Sequence, residues 1–170
     1  MSASDYEREL RSILRGDRKI IEIVTKTCSD EEKRRYEKIM EKPFVVVRSA
    51  GSYGADLLAV RCDISMLIEI KSSSARKIHF SSVKGKLQEQ ANRMKEECER
   101  ASILPVYAFR LKKKRGDAWR IFTLDIKGLK GRIKEIHSNI PKLDLTRSKN
   151  LVMEWDKGLP LSSFIEMITG

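Results

Sequence analysis

Met66-Leu67-Ile68-Glu69-Ile70-Lys71 decides how the rest of the chain is read. Side chains alternate along a β-strand, so Glu69 and Lys71 project together, about 6.6 Å apart, while Ile68 and Ile70 turn the other way. One face is apolar and the other holds an acid and a base. Just upstream, Ala55-Asp56-Leu57-Leu58-Ala59-Val60 reads as a second strand, and Arg61 to Ser65 as the turn between them. If the two form a hairpin, the start of one lies opposite the end of the other, and Asp56 comes beside Glu69. Earlier still, Phe44-Val45-Val46-Val47-Arg48 is continuous and β-branched, which predicts a strand covered on both faces.

Helical patterns surround these strands. Ser4-Asp5-Tyr6-Glu7 has capping-box spacing, and Tyr6, Leu10, Ile13 and Leu14 follow at helical intervals. A short apolar cluster, Ile20 to Val24, comes after Gly16-Asp17. A second box, Ser29 to Glu32, opens a charged helix with Tyr36, Ile39 and Met40 as its apolar positions, ended by Pro43. From Ser82 to Ala101, Val83, Leu87, Ala91, Met94, Cys98 and Ala101 share a face that should pack on the sheet, leaving a basic back. Leu104 to Arg110 and Trp119 to Leu124 read as strands joined by the basic turn 112–117. Asp125 to Arg147 reads as basic and irregular, Leu151 to Trp155 as a strand, and Leu161 to Ile168 as a helix capped by Ser163 and Glu166. The order predicts an α/β fold, a mixed central β-sheet flanked by helices.

The chain has 170 residues, with 35 Lys and Arg against 24 Asp and Glu, a net charge of +11. That length fits one domain. A 41% hydrophobic share is enough for a packed core and argues against a disordered basic tail. No apolar run approaches the roughly 20 residues of a membrane span. No signal peptide is visible at Met1 to Asp5, and three cysteines without CxxC spacing read as reduced thiols, so a cytoplasmic location is expected. The positive excess favours polyanions, nucleic acid first.

Two carboxylates converging at a sheet end repel unless a cation sits between them. Mg²⁺ suits that need: it takes oxygen ligands, keeps several waters, and requires only one or two carboxylates plus a phosphate oxygen. Lys71 would orient or deprotonate the attacking water, making a phosphodiesterase site. The plainer alternative is a hairpin with an incidental Glu69–Lys71 surface pair. It suffices for an E-x-K alone, but less well with Asp56 in register, Arg48 and a glycine-containing loop just before, and a strongly basic chain. Glu7 closes a capping box and needs no further role to be explained. Arg48 is either a bidentate phosphate clamp or a surface ion-pair partner. Ser52 is a phosphate contact or merely a loop residue. Gln90 sits beside an apolar stripe, which favours a solvated helix flank over a site role. His79 and His137 have no ligand-like spacing and receive no role.

Taken in order, Tyr6-Glu7-Arg8-Glu9-Leu10, Phe44 to Ser52, Asp56-Leu57-Leu58-Ala59 and Ile68-Glu69-Ile70-Lys71-Ser72 closely resemble the archaeal Holliday junction resolvases of the Hjc type, within the PD-(D/E)XK nuclease superfamily. The resemblance extends over most of the chain. It implies a restriction-endonuclease-like core, a single nuclease domain over 1–170, and catalytic positions at Glu7, Asp56, Glu69 and Lys71. Arg48 matches a catalytic or phosphate-contacting arginine, and Glu7 joins Asp56 and Glu69 as a metal ligand. Arg8, Arg48 and Ser52 are the implied DNA contacts. Mg²⁺, with Mn²⁺ as a substitute, is the implied cofactor, and a homodimer acting on four-way branched DNA in recombination and repair the implied assembly. Two stretches depart from the family pattern: a helical insertion at about 16–42 and a basic one at about 125–147. Rival readings are another nuclease of the superfamily, of repair or restriction type, or a junction-binding protein without a catalytic step.

Overall fold

A computed structural model describes residues 1–50, 54–80 and 85–170. The chain opens with three helices, α1 (Ala3–Leu14), α2 (Arg18–Val24) and α3 (Asp30–Glu37). Strands β1 (Val45–Arg48), β2 (Leu57–Val60), β3 (Ser65–Ser73) and β4 (Lys77–His79) follow, then α4 (Lys86–Ala101), β5 (Leu104–Leu111) and β6 (Trp119–Phe122). The remainder comprises α5 (Gly131–Ser138), β7 (Asp144–Leu145), β8 (Leu151–Glu154), β9 (Leu159–Pro160) and α6 (Leu161–Thr169).

Six strands form one sheet in the order β1-β2-β3-β5-β6-β9. Only β3 and β5 run parallel; the other neighbours are antiparallel. A parallel pair needs a crossover, and α4 lies within it. The small sheet β4-β8-β7 stands apart from the main one. The mixed sheet flanked by helices agrees with the expectation from sequence. Alternation along the strands assigns the faces: Ile68, Val106 and Arg110 share one, and Glu69 and Tyr107 the other. Helix α1 packs on the first, where Trp119 Nε1 and Arg110 Nε donate to Glu9 Oε1 at 3.0 and 3.3 Å. Helix α4 covers the second with Ala91, Met94 and Cys98 buried.

Four readings need correction. First, β1 is an edge strand, not one covered on both faces. Val46 is buried, but Val45 is 69% and Val47 47% exposed. A run of β-branched residues suits either situation, and only the strand order decides. Second, α1 begins two residues earlier than the Ser4 box predicts. Ser2 is its N-cap, and the Asp5 carboxylate accepts from Ser2 N–H at 2.8 Å. Ser2/Asp5 and Ser4/Glu7 carry the same spacing, and the chain uses the first. Third, the stretch 125–147 contains α5 and β7, so it is only partly irregular. Fourth, α6 starts after Pro160, with Ser163 inside it and not at its cap. One of its orphan N–H groups, on Ser162, donates instead to buried Asp117 Oδ2 at 2.9 Å. The second capping box is present as read: Ser29 N–H donates to Glu32 Oε1 and Glu32 N–H to Ser29 Oγ, at 2.9 and 3.1 Å.

The 16–42 stretch is built into the core. Ile21, Tyr36 and Ile39 are buried, and Tyr36 OH donates to Asp117 Oδ1 at 2.7 Å. Arg35 and Lys38 both pair with Glu166 of α6.

Candidate active site

The β2–β3 hairpin pairs Leu57 with Ile68 and Val60 with Ser65. Continued by one residue, that register sets Asp56 opposite Glu69, as the sequence predicts. Asp56 N–H donates to Ile68 O at 2.9 Å, and the Asp56 carboxylate accepts from Ile70 N–H at 2.8 Å. The side chain is therefore held by the backbone of β3 and does not swing freely. On the other side Ser49 closes the loop, its N–H donating to Asp56 O at 2.9 Å and its hydroxyl to Ala55 O.

Glu69 is 3% exposed. Lys71 Nζ donates to its Oε1 at 3.2 Å, as expected for residues two apart on one strand face. Gln90 Nε2 donates to its other oxygen, Oε2, at 2.7 Å. Gln90 is therefore a site residue and not a solvated flank. The signal was present, since the residue adjoins Ala91 on the apolar stripe, but a helical pattern does not say how near that stripe's edge comes to a strand. Gly54 permits the approach. It has φ +71, and a Cβ there would lie 2.6 Å from Gln90 O.

A cavity of about 400 Å³ opens between these groups, lined by Ser4, Glu7, Asp56, Glu69, Lys71 and three neighbours. Glu7 thus shares the cavity with the hairpin carboxylates, but its carboxylate is engaged by Arg48 Nε. Since α1 is capped by Ser2 and Asp5, Glu7 has no capping duty. Among the described residues no three Asp, Glu, His or Cys side chains form a ready metal cluster. Arg48 stands at the end of β1, largely exposed apart from Glu7. Arg8 is exposed on α1, its guanidinium 3.6 Å from Asp5. Ser52 lies outside the described residues. His79 is exposed, and buried His137 is spent on Leu124 O through Nε2 at 2.8 Å, so neither joins the site.

The electrostatics of this cavity favour a cation. Burial, aided by the Asp56 charge and opposed by Lys71, pushes the Glu69 carboxyl up to about 8. A second negative charge there is costly, and a hard divalent ion between Asp56 and Glu69 would remove that cost. The donor set is all oxygen, which suits Mg²⁺ and Mn²⁺ better than softer metals. Tyr107, opposite Glu69 on β5, is a further neighbour unmarked by sequence. Burial, then Glu69, pushes its phenol well up, and its buried hydroxyl has no partner among the described residues.

The family model described as archaeal Holliday junction resolvase (Hjc) matches residues 24–167. Arg48, Asp56, Glu69, Lys71 and Gln90 lie inside that span, while Glu7 and Arg8 precede it. Among solved structures, Hjc of Archaeoglobus fulgidus, a Holliday junction resolvase from an archaeal hyperthermophile, is similar at 18% sequence identity and a TM-score of 0.49, over 72% of this chain and 81% of that one. No curated protein matches.

Proposed function

The chain belongs to the archaeal Holliday junction resolvase (Hjc) family, and from that premise we propose that it is a divalent-metal-dependent endonuclease that resolves four-way DNA junctions through the Asp56–Glu69–Lys71 cavity. The observation that carries this reading is the convergence on Glu69. Lys71 and Gln90 each hold one of its oxygens, and Asp56 stands opposite.

Asp56 and Glu69 are the residues to hold Mg²⁺ or Mn²⁺, with Glu7 as a third carboxylate on the cavity wall. Such an ion, when bound, acidifies water and neutralises charge developing on a phosphodiester. Asp56 is preset by Ile70 N–H, and Gln90 keeps Glu69 from rotating out of the cavity. Lys71 donates to Glu69 Oε1 and faces the same space, where it would orient the attacking water and offset negative charge. Arg48, a rigid planar fork beside the cavity, is suited to a phosphate oxygen pair.

The +11 net charge supports a polyanionic substrate. Phosphate contacts from Lys and Arg position DNA without reading bases, so branch geometry and not sequence should govern the cut. A four-way junction has approximate two-fold symmetry, which a homodimer matches by setting one active site on each of two opposed strands. No helix among the described residues is long and apolar enough to cross a membrane. The reading places the protein in the cytoplasm with the DNA it acts on. The deciding experiment offers a four-way junction and a matched linear duplex, each with and without Mg²⁺. Paired nicks in the junction alone, dependent on the ion, are expected; equal cutting of both substrates would remove the resolvase assignment.

A further inference from the structure

A second cavity of about 190 Å³ adjoins the first and shares its Ser4 and Glu7 wall; Arg8, Arg11 and Arg48 complete its lining. Its origin is visible in α1. Ser4, Arg8 and Arg11 recur at intervals of four and three, so they form one column along the helix. Tyr6, Leu10, Ile13 and Leu14 form the opposite column, buried on the sheet. Arg48 reaches in from β1 and closes the notch.

Three arginines thus line one space in which, among the described residues, Glu7 supplies the only lining carboxylate. Arg48 already engages Glu7, and Arg8 has Asp5 at the rim, 3.6 Å away. Arg11 has no such partner: its Nε is buried and makes no hydrogen bond among the described residues. A buried donor left unpaired is unfavourable, and an oxyanion in the notch would remove that penalty. Guanidinium forks fit tetrahedral phosphate oxygens in pairs.

We propose that this notch is a second phosphate site, which seats the DNA phosphate next to the one being cut, with Arg11 as its inner donor. The assignment rests on the DNA-nuclease reading of the adjoining cavity. The shared wall sets the two sites side by side, as neighbouring phosphates of one strand require. Glu7 divides them, so the carboxylate cavity takes the scissile group and the arginine notch holds its neighbour in register.

The test is a binding measurement in EDTA, so cleavage does not enter. A labelled four-way junction is titrated over a salt series with wild type, Arg11→Ala and Arg11→Gln. Each variant should lower the salt slope of log K by about 0.9, one phosphate's share, and weaken binding about tenfold whatever the junction sequence. A folded Arg11→Ala protein with unchanged slope and affinity overturns the proposal. In parallel, and decisive alone should the variants fail to fold, inorganic phosphate is titrated into wild type while the arginine Nε–H resonances are followed. Movement of the Arg11 signal supports the notch, and a stationary signal overturns it. Movement with inorganic phosphate beside an unchanged junction slope makes it a free-anion site and overturns the DNA assignment. Wild type that cuts junction and duplex alike would remove the resolvase reading and leave the Arg11 result standing.

Discussion

Gln90 Nε2 lies 2.7 Å from Glu69 Oε2, a hydrogen bond that ties α4 to the strand carrying the candidate catalytic carboxylate. Removing the amide leaves a buried carboxylate oxygen without its donor and lets Glu69 choose another rotamer. Gln90→Ala should lower metal affinity or turnover about 10- to 100-fold, the range for supports of metal ligands. Titrating Mg²⁺ at fixed junction concentration distinguishes a raised metal requirement from a lower ceiling. A variant indistinguishable from wild type would mean the contact is incidental.

Asp56→Asn and Glu69→Gln keep the shape of the site and remove its charge. Each should cut the cleavage rate by at least about 100-fold while leaving junction affinity in EDTA near that of wild type. Gel-shift and single-turnover cleavage on the same preparation check both. Cleavage that survives either change would move the chemistry elsewhere.

Glu69 also makes stability depend on pH. Its folded pKa, about 8, stands above the ordinary glutamate value of 4.5, so the native state holds a proton that the unfolded chain releases. Stability without metal should therefore, as far as this group is concerned, be fully present below about pH 4.5 and fall as pH rises through the window up to about 8. Glu69→Gln abolishes the effect and should be more stable than wild type above pH 8, by on the order of 2 kcal/mol, but not near pH 4.5. Urea denaturation in EDTA at the two pH values is the check. The same logic makes Mg²⁺ binding tighten between pH 6 and 8, since the ion displaces that proton.

Gly54→Ala joins two costs. The positive φ is unfavourable for any residue with a Cβ, by about 1–2 kcal/mol, and the new carbon would sit 2.6 Å from Gln90 O. The variant should melt lower and, because α4 must shift, also cut more slowly. A stability loss with full activity would show that α4 moves without carrying Gln90 away from Glu69.

Asp117 is 5% exposed and accepts from Tyr36 OH and Ser162 N–H, joining α3 to the start of α6. Asp117→Ala strands both donors and should destabilise by about 2–4 kcal/mol, measured by thermal or urea unfolding, without altering the Mg²⁺ dependence of whatever activity remains.

The hairpin was the most legible part of the chain because alternation and a short turn leave one register, and that register alone brings Asp56 to Glu69. The Glu69–Lys71 contact follows from the same period. Gln90 was harder, since its role depends on the distance between a helix and a sheet, which no local pattern encodes. The exposure of Val45 and Val47 was hidden for a related reason: strand order is a property of the whole sheet. The start of α1 was ambiguous because two serines offer equivalent caps, and the choice of Ser2 changes how Glu7 is read. Glu9, bound to Arg110 and Trp119, gave no sequence signal at all; its partners lie a hundred residues away.

Glu7, which Arg48 engages from the side of the arginine notch, stands in the wall common to both cavities. An anion that draws Arg48 toward itself leaves the Glu7 carboxylate free to serve the carboxylate cavity, and a cation that draws Glu7 releases the guanidinium in return. Such linkage is reciprocal: whatever factor one guest adds to the affinity of the other must be returned in full. On the proposed assignment DNA and divalent ion should therefore recruit each other, and a protein holding neither keeps the Glu7 and Arg48 charges neutralised in a single ion pair.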